Sequence, residues 1–175
     1  MNLTEETKMY YSSVLRTLVA CDGRYPTESE EAACLAFAQS LPKRLQAANL
    51  ISQKESAIAR EAIEEMKPKY PRFLAHHERA YEKGARDLEL CLRYAVQGMI
   101  VNDAEMPKEK LFVWYGTIIR SLGLTPQYAR EACKAVYDAC LRQLTPDAFA
   151  VAEPFLTRMV EDVSNFPEPM KAAIH

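Results

Sequence analysis

Apolar side chains recur every three to four residues along almost the whole chain, which is the spacing of one face of an α-helix. The pattern can be followed from Tyr11 to Val163, and prolines and glycines mark its interruptions. Composition points the same way, since 24 Ala and 17 Leu outnumber the 24 Val, Ile and Thr combined and only 5 Gly are present. Such a composition disfavours strands and β-turns. The sequence therefore predicts an all-α fold.

The length of the chain predicts one domain. Its 175 residues, 49% of them hydrophobic, are enough for one well-filled core. They are too few to favour two ordinary domains. We expect a single domain over residues 1–175, built from seven or eight amphipathic helices.

Capping signals predict where the first helices begin and end. The first helix is expected to stop at the turn formed by residues 21–24. Thr27 followed by Glu30 has the spacing of a capping box, and Ser52 followed by Glu55 has the same spacing. Two separate helices are therefore predicted, one ending at Ser40 and one running from Ser52 to about Met66.

Prolines mark the starts of the later helices, because proline is favoured in the first helical turn. Beyond the prolines of residues 67–71, a long helix is predicted to end near Val101. Pro107 is expected to open the next helix, which Gly123 would end as a C-terminal cap. The last two helices are predicted to begin at Pro126 and Pro146.

Charge and hydropathy exclude several classes of function. The chain has 22 basic and 24 acidic side chains, with no Lys/Arg cluster of the kind that binds nucleic acid or a membrane surface. No apolar stretch approaches the ~20 residues needed to span a bilayer, and the N-terminus is polar and acidic rather than a signal peptide. We expect a cytoplasmic protein with no nucleic-acid partner and no membrane insertion.

No catalytic or metal-binding motif stands out. The five cysteines contain no Cys-x-x-Cys pair and fall mostly within apolar helical patterns, which predicts reduced, buried thiols. His76 and His77 are adjacent, so one helix cannot direct both to the same metal ion. Phosphate-binding loops and nucleophile or metalloprotease motifs are also missing. We expect neither an enzyme nor a metal site.

One stretch combines charge with a position beside the core. On a helix, Lys83, Asp87, Cys91 and Tyr94 project along one stripe, with Arg86 beside it. The two cations could pair with carboxylates of a ligand, and the aspartate could accept hydrogen bonds from N–H groups. The competing interpretation is an ordinary solvated face, on which residues i and i+4 form ion pairs: Glu82 with Arg86, and Glu89 with Arg93.

The same stretch, residues 83–103, resembles the phycobiliprotein signature, in which Lys-Cys-Ala-Arg-Asp is followed by a Leu-Arg-Tyr run and a Gly-Asp turn. Residues 22–30 are similar to the family's Gly-Arg-Phe/Tyr turn, and residues 44–71 to its Ala-Ala helix ending at an aromatic-Pro pair. Residues 114–136 are similar to its Tyr-x-Ser-Leu-Gly-x-Pro junction. The resemblance extends over roughly residues 5–165.

This resemblance implies a globin-like helical domain preceded by an N-terminal helical extension, here residues 1–25, through which subunits pair. The exposed apolar surface of that extension predicts a homodimer or a heteromer; its residues are Tyr10, Tyr11, Val14, Leu15 and Leu18. A haem globin is disfavoured because residues 107–122 contain no histidine for a proximal ligand.

The resemblance also implies a linear tetrapyrrole, or bilin, which family members attach through a thioether to the cysteine of that signature. Gly84 occupies the cysteine's position, so the usual covalent bond cannot form. Lys83 and Arg86 match the family's propionate-pairing cations, and Asp87 matches the aspartate that binds the pyrrole N–H groups. The predicted bilin-binding set is Lys83, Arg86, Asp87, Tyr115 and Tyr128.

Three further features of the sequence bear on this expectation. The segment between Pro71 and Gly84 is shorter than in ordinary members, and the aromatic pair after the Ser-Leu-Gly turn is reduced to Tyr128 and Ala129. Cys91 lies seven residues beyond Gly84 on the same helix face, but a small buried side chain is the favoured interpretation of it.

Two functions follow from the resemblance. The first is a bilin carrier that binds pigment without a thioether and serves phycobilin biosynthesis or phycobilisome assembly, with bilin-synthesis enzymes or phycobiliproteins as partners. The alternative is a pigment-free structural or regulatory subunit of a phycobilisome-type antenna, which would hold the chain at the thylakoid periphery.

Overall fold

The computed structural model describes residues 13–21, 23–71 and 78–169. Within these ranges every regular element is helical and no strand occurs, as predicted. No helix among them is long and apolar enough to cross a membrane.

The described elements are seven α-helical segments and one π-helical segment. In chain order they are α1 Ser13–Ala20, α2 Glu28–Met66, α3 Ala80–Val101, α4 Glu105–Pro107, the π segment Lys108–Phe112, α5 Val113–Ser121, α6 Pro126–Gln143 and α7 Pro146–Val163.

Helix α2 corrects the prediction of two helices over residues 27–66. Thr27 and Glu30 do form the predicted capping box, but the helix then continues through Pro42 without a break. Pro42 is exposed, and its cost of roughly 3 kcal/mol within a helix is offset by apolar burial beyond it. Glu55 is not a capping residue, because its carboxylate binds the Arg93 guanidinium at 2.7 and 2.9 Å. The local spacing predicted a cap at Ser52, but tertiary packing keeps the chain helical through this position.

The later boundaries follow the sequence signals closely. Helix α3 ends at Val101 as predicted, and the side chains of Thr125 and Thr145 cap α6 and α7, whose first residues are the predicted prolines. Gly123 has φ +75°, a conformation that favours glycine. Its N–H bonds to Arg120 O, while the N–H of Leu124 bonds to Ile119 O. This pair of bonds is a Schellman motif, which confirms the predicted C-terminal cap.

The helix predicted to begin at Pro107 begins two residues earlier and contains a π-helical turn. Asp103 starts this segment by accepting hydrogen bonds from the N–H groups of Glu105 and Met106. Pro107 packs so closely on α3 that a Cβ at Gly98 would lie 2.6 Å from its Cγ. This contact anchors the start of the segment that leads into α5.

The core forms where α2, α3, α6 and α7 pack together. Four of the five cysteines are buried and all five are free thiols; Cys34 is the one that is only partly buried. The reduced thiols agree with the sequence prediction. The largest fully buried side chains include Ile51, Ile58, Met66, Leu92, Met99, Phe112, Val136, Leu156 and Met159.

The predicted N-terminal extension is only partly described. Tyr10 and Tyr11 lie outside the described residues, as do the side chains of Leu15 and Leu18. Val14 is half-buried on α1, and Tyr25, in the turn that follows, is 93% exposed. Subunit pairing through residues 1–25 therefore stays a prediction.

Arg44 joins the proline-containing part of α2 to the end of α3. Its guanidinium is buried and donates to the carbonyl oxygens of Phe37 at 2.8 Å and Met99 at 3.3 Å. It also donates to the Ile100 carbonyl and to Ser40 Oγ. Carbonyls in the turn before Pro42 and at the C-terminus of α3 thus share one buried donor.

We expect Arg44→Ala to lower the free energy of unfolding by about 2 to 4 kcal/mol, because several buried carbonyls would lose a charged donor. Chemical denaturation monitored by circular dichroism measures the change. Lys43→Ala, at the exposed neighbouring position on α2, is the matched control and should change stability by less than about 0.5 kcal/mol. Equal effects of the two substitutions would contradict the assigned role.

Candidate functional site

Four of the five residues predicted to bind a ligand line one cavity of about 200 Å³. The first turns of α3 contribute Lys83 and Asp87, α5 contributes Tyr115, and α6 contributes Tyr128. Gly84, the position without a cysteine, lines the same cavity. Residues far apart in sequence thus meet at a single space.

Apolar side chains make up most of the cavity wall. Leu88 continues the α3 wall one turn beyond Gly84, as expected for positions i and i+4. Sequence reasoning missed most of the wall contributed by α5 and α6, although the spacing from Tyr115 and Tyr128 indicates which positions share their faces. The missed residues are Ile119 on α5, Leu122 and Leu124 in the turn that follows it, Ala132 and Cys133 on α6, and Val163 at the end of α7.

Asp87 places a carboxylate in this apolar setting. Burial raises its pKa, and the neighbouring cations of Arg86 and Lys83 act in the opposite direction without cancelling the effect. The hydroxyl of Tyr115 is within hydrogen-bonding reach of the carboxylate and also favours its ionised form. Asp87 is therefore a partly desolvated acceptor whose charge is incompletely compensated by the protein.

Two tyrosines complete the polar part of the wall. Burial raises the pKa of the Tyr115 hydroxyl far above its usual range and also that of Tyr128. Both hydroxyls therefore remain protonated at neutral pH and can donate hydrogen bonds. The ring of Tyr128 is held edge-on against Tyr70, with ring centroids 5.0 Å apart.

Arg86 lies on the other flank of α3, in a second and more open space of about 490 Å³ between α2 and α3. We call this space the α2–α3 groove; Lys83 lines both it and the cavity. The predicted cations therefore do not all point into one pocket. Lys83 is at the boundary between the two spaces and Arg86 is on the groove side.

Of the two ion pairs predicted for an ordinary solvated face of α3, only one forms. Glu89 and Arg93 form the expected ion pair at 3.5 Å. Glu82 instead binds the guanidinium of Arg79 through both carboxylate oxygens. The predicted Glu82 to Arg86 pair is thus replaced by a pair one turn closer to the start of α3.

Cys91 does not line the cavity. Its side chain is fully buried beneath α3, and burial raises the pKa of its thiol well above the ordinary value. It is the small core residue that the sequence analysis favoured. A buried, protonated thiol is a poor nucleophile, so Cys91 does not replace the missing cysteine at position 84.

No group of three or more His, Cys, Asp or Glu side chains within the described ranges could hold a metal ion. His76 and His77 lie outside those ranges. What the cavity does offer is an apolar wall, one partly desolvated carboxylate, two tyrosine hydroxyls and a cation at its edge. This set suits an organic ligand that carries N–H donors and acidic groups on an otherwise apolar framework.

Comparison with known proteins identifies relatives over most of the chain. A family model described as phycobilisome protein matches residues 19–163. Allophycocyanin subunit alpha-B from a Nostoc species is 28% identical over 149 residues, covering 81% of this chain and 91% of its own. The allophycocyanin alpha-B chain of Cyanophora paradoxa is 25% identical over 146 residues, covering 79% and 88%.

The environment of Asp87 predicts a pH dependence of stability. Because its pKa is raised on folding, the penalty for ionising it is absent below the pKa of the unfolded chain and develops as pH rises through the folded value. Asp87→Asn should therefore increase the free energy of unfolding at pH 7, and the gain should shrink to nothing as pH falls below about 4. Urea denaturation between pH 3 and pH 8 measures this difference.

Asp138→Asn is the control for that experiment. Asp138 is paired with Lys134 on the surface of α6, so its replacement should lower stability slightly at neutral pH. A destabilising Asp87→Asn at pH 7 would contradict the assigned environment.

Proposed function

This chain belongs to the phycobilisome protein family, and on that basis we propose that it binds a linear tetrapyrrole non-covalently in the cavity between α3, α5 and α6. The all-helical architecture agrees with the globin-like fold of that family. The observation that carries the proposal is the half-buried Asp87 carboxylate, which faces an otherwise largely apolar cavity edged by Lys83.

Each part of the cavity matches a part of such a ligand. The apolar wall would cover pyrrole rings, and burial of their surface would supply most of the binding free energy. Asp87 would accept hydrogen bonds from pyrrole N–H groups, while Lys83 at the cavity edge and Arg86 on the adjoining groove side would pair with propionates. When bound, the conjugated ligand would supply absorption of visible light.

The volume of the cavity limits how much of the ligand it could enclose. Ligand sites usually enclose at least about 300 Å³, whereas the cavity between α3, α5 and α6 has about 200 Å³. A tetrapyrrole would therefore place part of its framework in the cavity and extend beyond Lys83. The adjoining α2–α3 groove, about 490 Å³ in volume, lies on that side.

Reversible binding distinguishes this proposal from a fixed light-harvesting subunit. Gly84 has no thiol at the position where the resemblance places the attachment cysteine, and the fully buried Cys91 cannot substitute for it. A ligand held by burial and hydrogen bonds can be released again. We propose a carrier that passes bilin between bilin-synthesis enzymes and phycobiliproteins.

The contribution of Asp87 can be measured by titrating the protein with biliverdin or phycocyanobilin and following the absorption spectrum. We expect Asp87→Ala to weaken binding by roughly 10- to 100-fold, because pyrrole N–H groups would be buried without an acceptor. Lys83→Ala, at an exposed edge, should cost less. Equal affinities of wild type and Asp87→Ala would favour the alternative, a pigment-free structural or regulatory subunit.

A second experiment tests where the ligand lies. Gly84→Cys would put a thiol on the cavity wall, where it can add across the exocyclic double bond of phycocyanobilin; a C–S bond forms and the thiol proton passes to the neighbouring carbon. We expect pigment to stay with this variant, but not with wild type, after denaturation in acidic urea. Gly84→Ala adds the Cβ without the thiol and should retain none. Pigment released equally from both variants would contradict the proposed orientation.

A further inference from the structure

The α2–α3 groove is more basic than its surroundings. It is lined by five cationic side chains and three carboxylates, an excess of two positive charges. Arg60 lies on α2 and Lys67 immediately follows the last residue of that helix; the other cations are Arg79, Lys83 and Arg86, at the start of α3. The chain as a whole is slightly acidic, so this excess is local.

The cations of the groove differ in how strongly the protein already pairs them. Arg79 is bound by Glu82 through both oxygens, which leaves little capacity for a ligand. Arg60 donates Nε to the Ser56 carbonyl at 3.1 Å, a bond that aligns its guanidinium along α2 without neutralising its charge. Lys67 pairs with an exposed Glu64 carboxylate, an interaction that solvent weakens.

A chain of contacts links the groove to the cavity. Lys67 Nζ lies 5.3 Å from the centroid of the Tyr81 ring, and the Tyr81 hydroxyl donates to the Tyr70 carbonyl at 3.4 Å. The ring of Tyr70 in turn packs edge-on against Tyr128 in the cavity wall. Lys67 therefore lies at the end of the groove that adjoins the cavity, as Lys83 does on α3.

Building on the proposed tetrapyrrole site, we propose that the α2–α3 groove receives the carboxylate side chains of the ligand and that Arg60 and Lys67, at the C-terminal end of α2, select for a dicarboxylate. The apolar cavity suits the part of the ring system that enters it, and ionised carboxylates cannot be buried there without a large desolvation cost. The groove is the adjoining space with surplus positive charge. Recognition of the acidic groups thus involves α2 as well as α3.

The test compares biliverdin with its dimethyl ester, which has the same rings but no ionised carboxylates. We expect wild type to prefer the diacid. The double variant Arg60→Gln/Lys67→Gln should bind the diacid about fivefold more weakly, as expected from the loss of two partly solvated ion pairs, and should bind the ester as wild type does. Fluorescence quenching at two salt concentrations gives both affinities, and the preference for the diacid should shrink at high salt.

The double variant Lys43→Gln/Lys134→Gln is the control. It makes the same change in net charge at exposed positions on α2 and α6 that do not line the groove. Lys134 also pairs with a carboxylate close by in the sequence, Asp138, as Lys67 does with Glu64. Its affinity for the diacid should equal that of wild type.

Two results would overturn the inference in distinguishable ways. If wild type binds the diacid and the groove variant binds it equally well, or loses diacid and ester affinity to the same extent, the carboxylates lie elsewhere while the proposed function stands. If wild type binds neither compound, the proposed function fails and the role of the groove fails with it.

Discussion

The rotation of α3 about its own axis is the constraint on which the rest of the molecule depends. Leu88, Leu92 and Met99 must face the core formed with α2 and α7, and this requirement leaves the helix little freedom to turn. Because residues 84 and 88 share a face, the same rotation puts Gly84 on the cavity wall, with Asp87 close beside it. Arg86 is then directed to the opposite flank. Core packing therefore fixes the arrangement of the candidate site before any polar contact forms.

Without a ligand, the folded protein is less stable with Asp87 in the cavity wall than it would be with an apolar residue there. Burial of its carboxylate raises the pKa, and Tyr115 and the nearby cations relieve that cost only in part. A ligand with N–H donors would supply the missing partners and stabilise the ionised form. By linkage, such a ligand would bind more tightly as pH rises through the pKa of the free protein. This partly desolvated carboxylate supports the proposed ligand site, because a bound N–H donor would supply the partner that the fold does not.

Much of the fold could be predicted because its signals are local. The cap at Thr27, the Schellman glycine at position 123 and the proline starts of α6 and α7 all act within one or two helical turns. The capping-box spacing at Ser52 is also a local signal, and its prediction was wrong. Glu55 does not cap a helix but forms a tertiary ion pair with Arg93 of α3. Helical spacing from Tyr115 and Tyr128 indicates which positions share a face on α5 and on α6, but only tertiary contacts bring those faces together with α3 around one cavity. The sequence analysis named Tyr115 and Tyr128 as site residues but not the apolar residues around them.

The two flanks of α3 divide the chemistry of the candidate site. On one flank, an apolar cavity holds a single carboxylate; on the other, a solvated groove carries surplus positive charge. A ligand with an apolar ring system, central N–H groups and acidic side chains can satisfy both flanks in only one general orientation. Reversing it would bring carboxylates toward Asp87 and rings into water, and both changes are unfavourable. Lys83, which lines both spaces, lies where the two parts of such a ligand would meet. Orientation can thus be fixed by charge and solvation, without the covalent bond that Gly84 excludes.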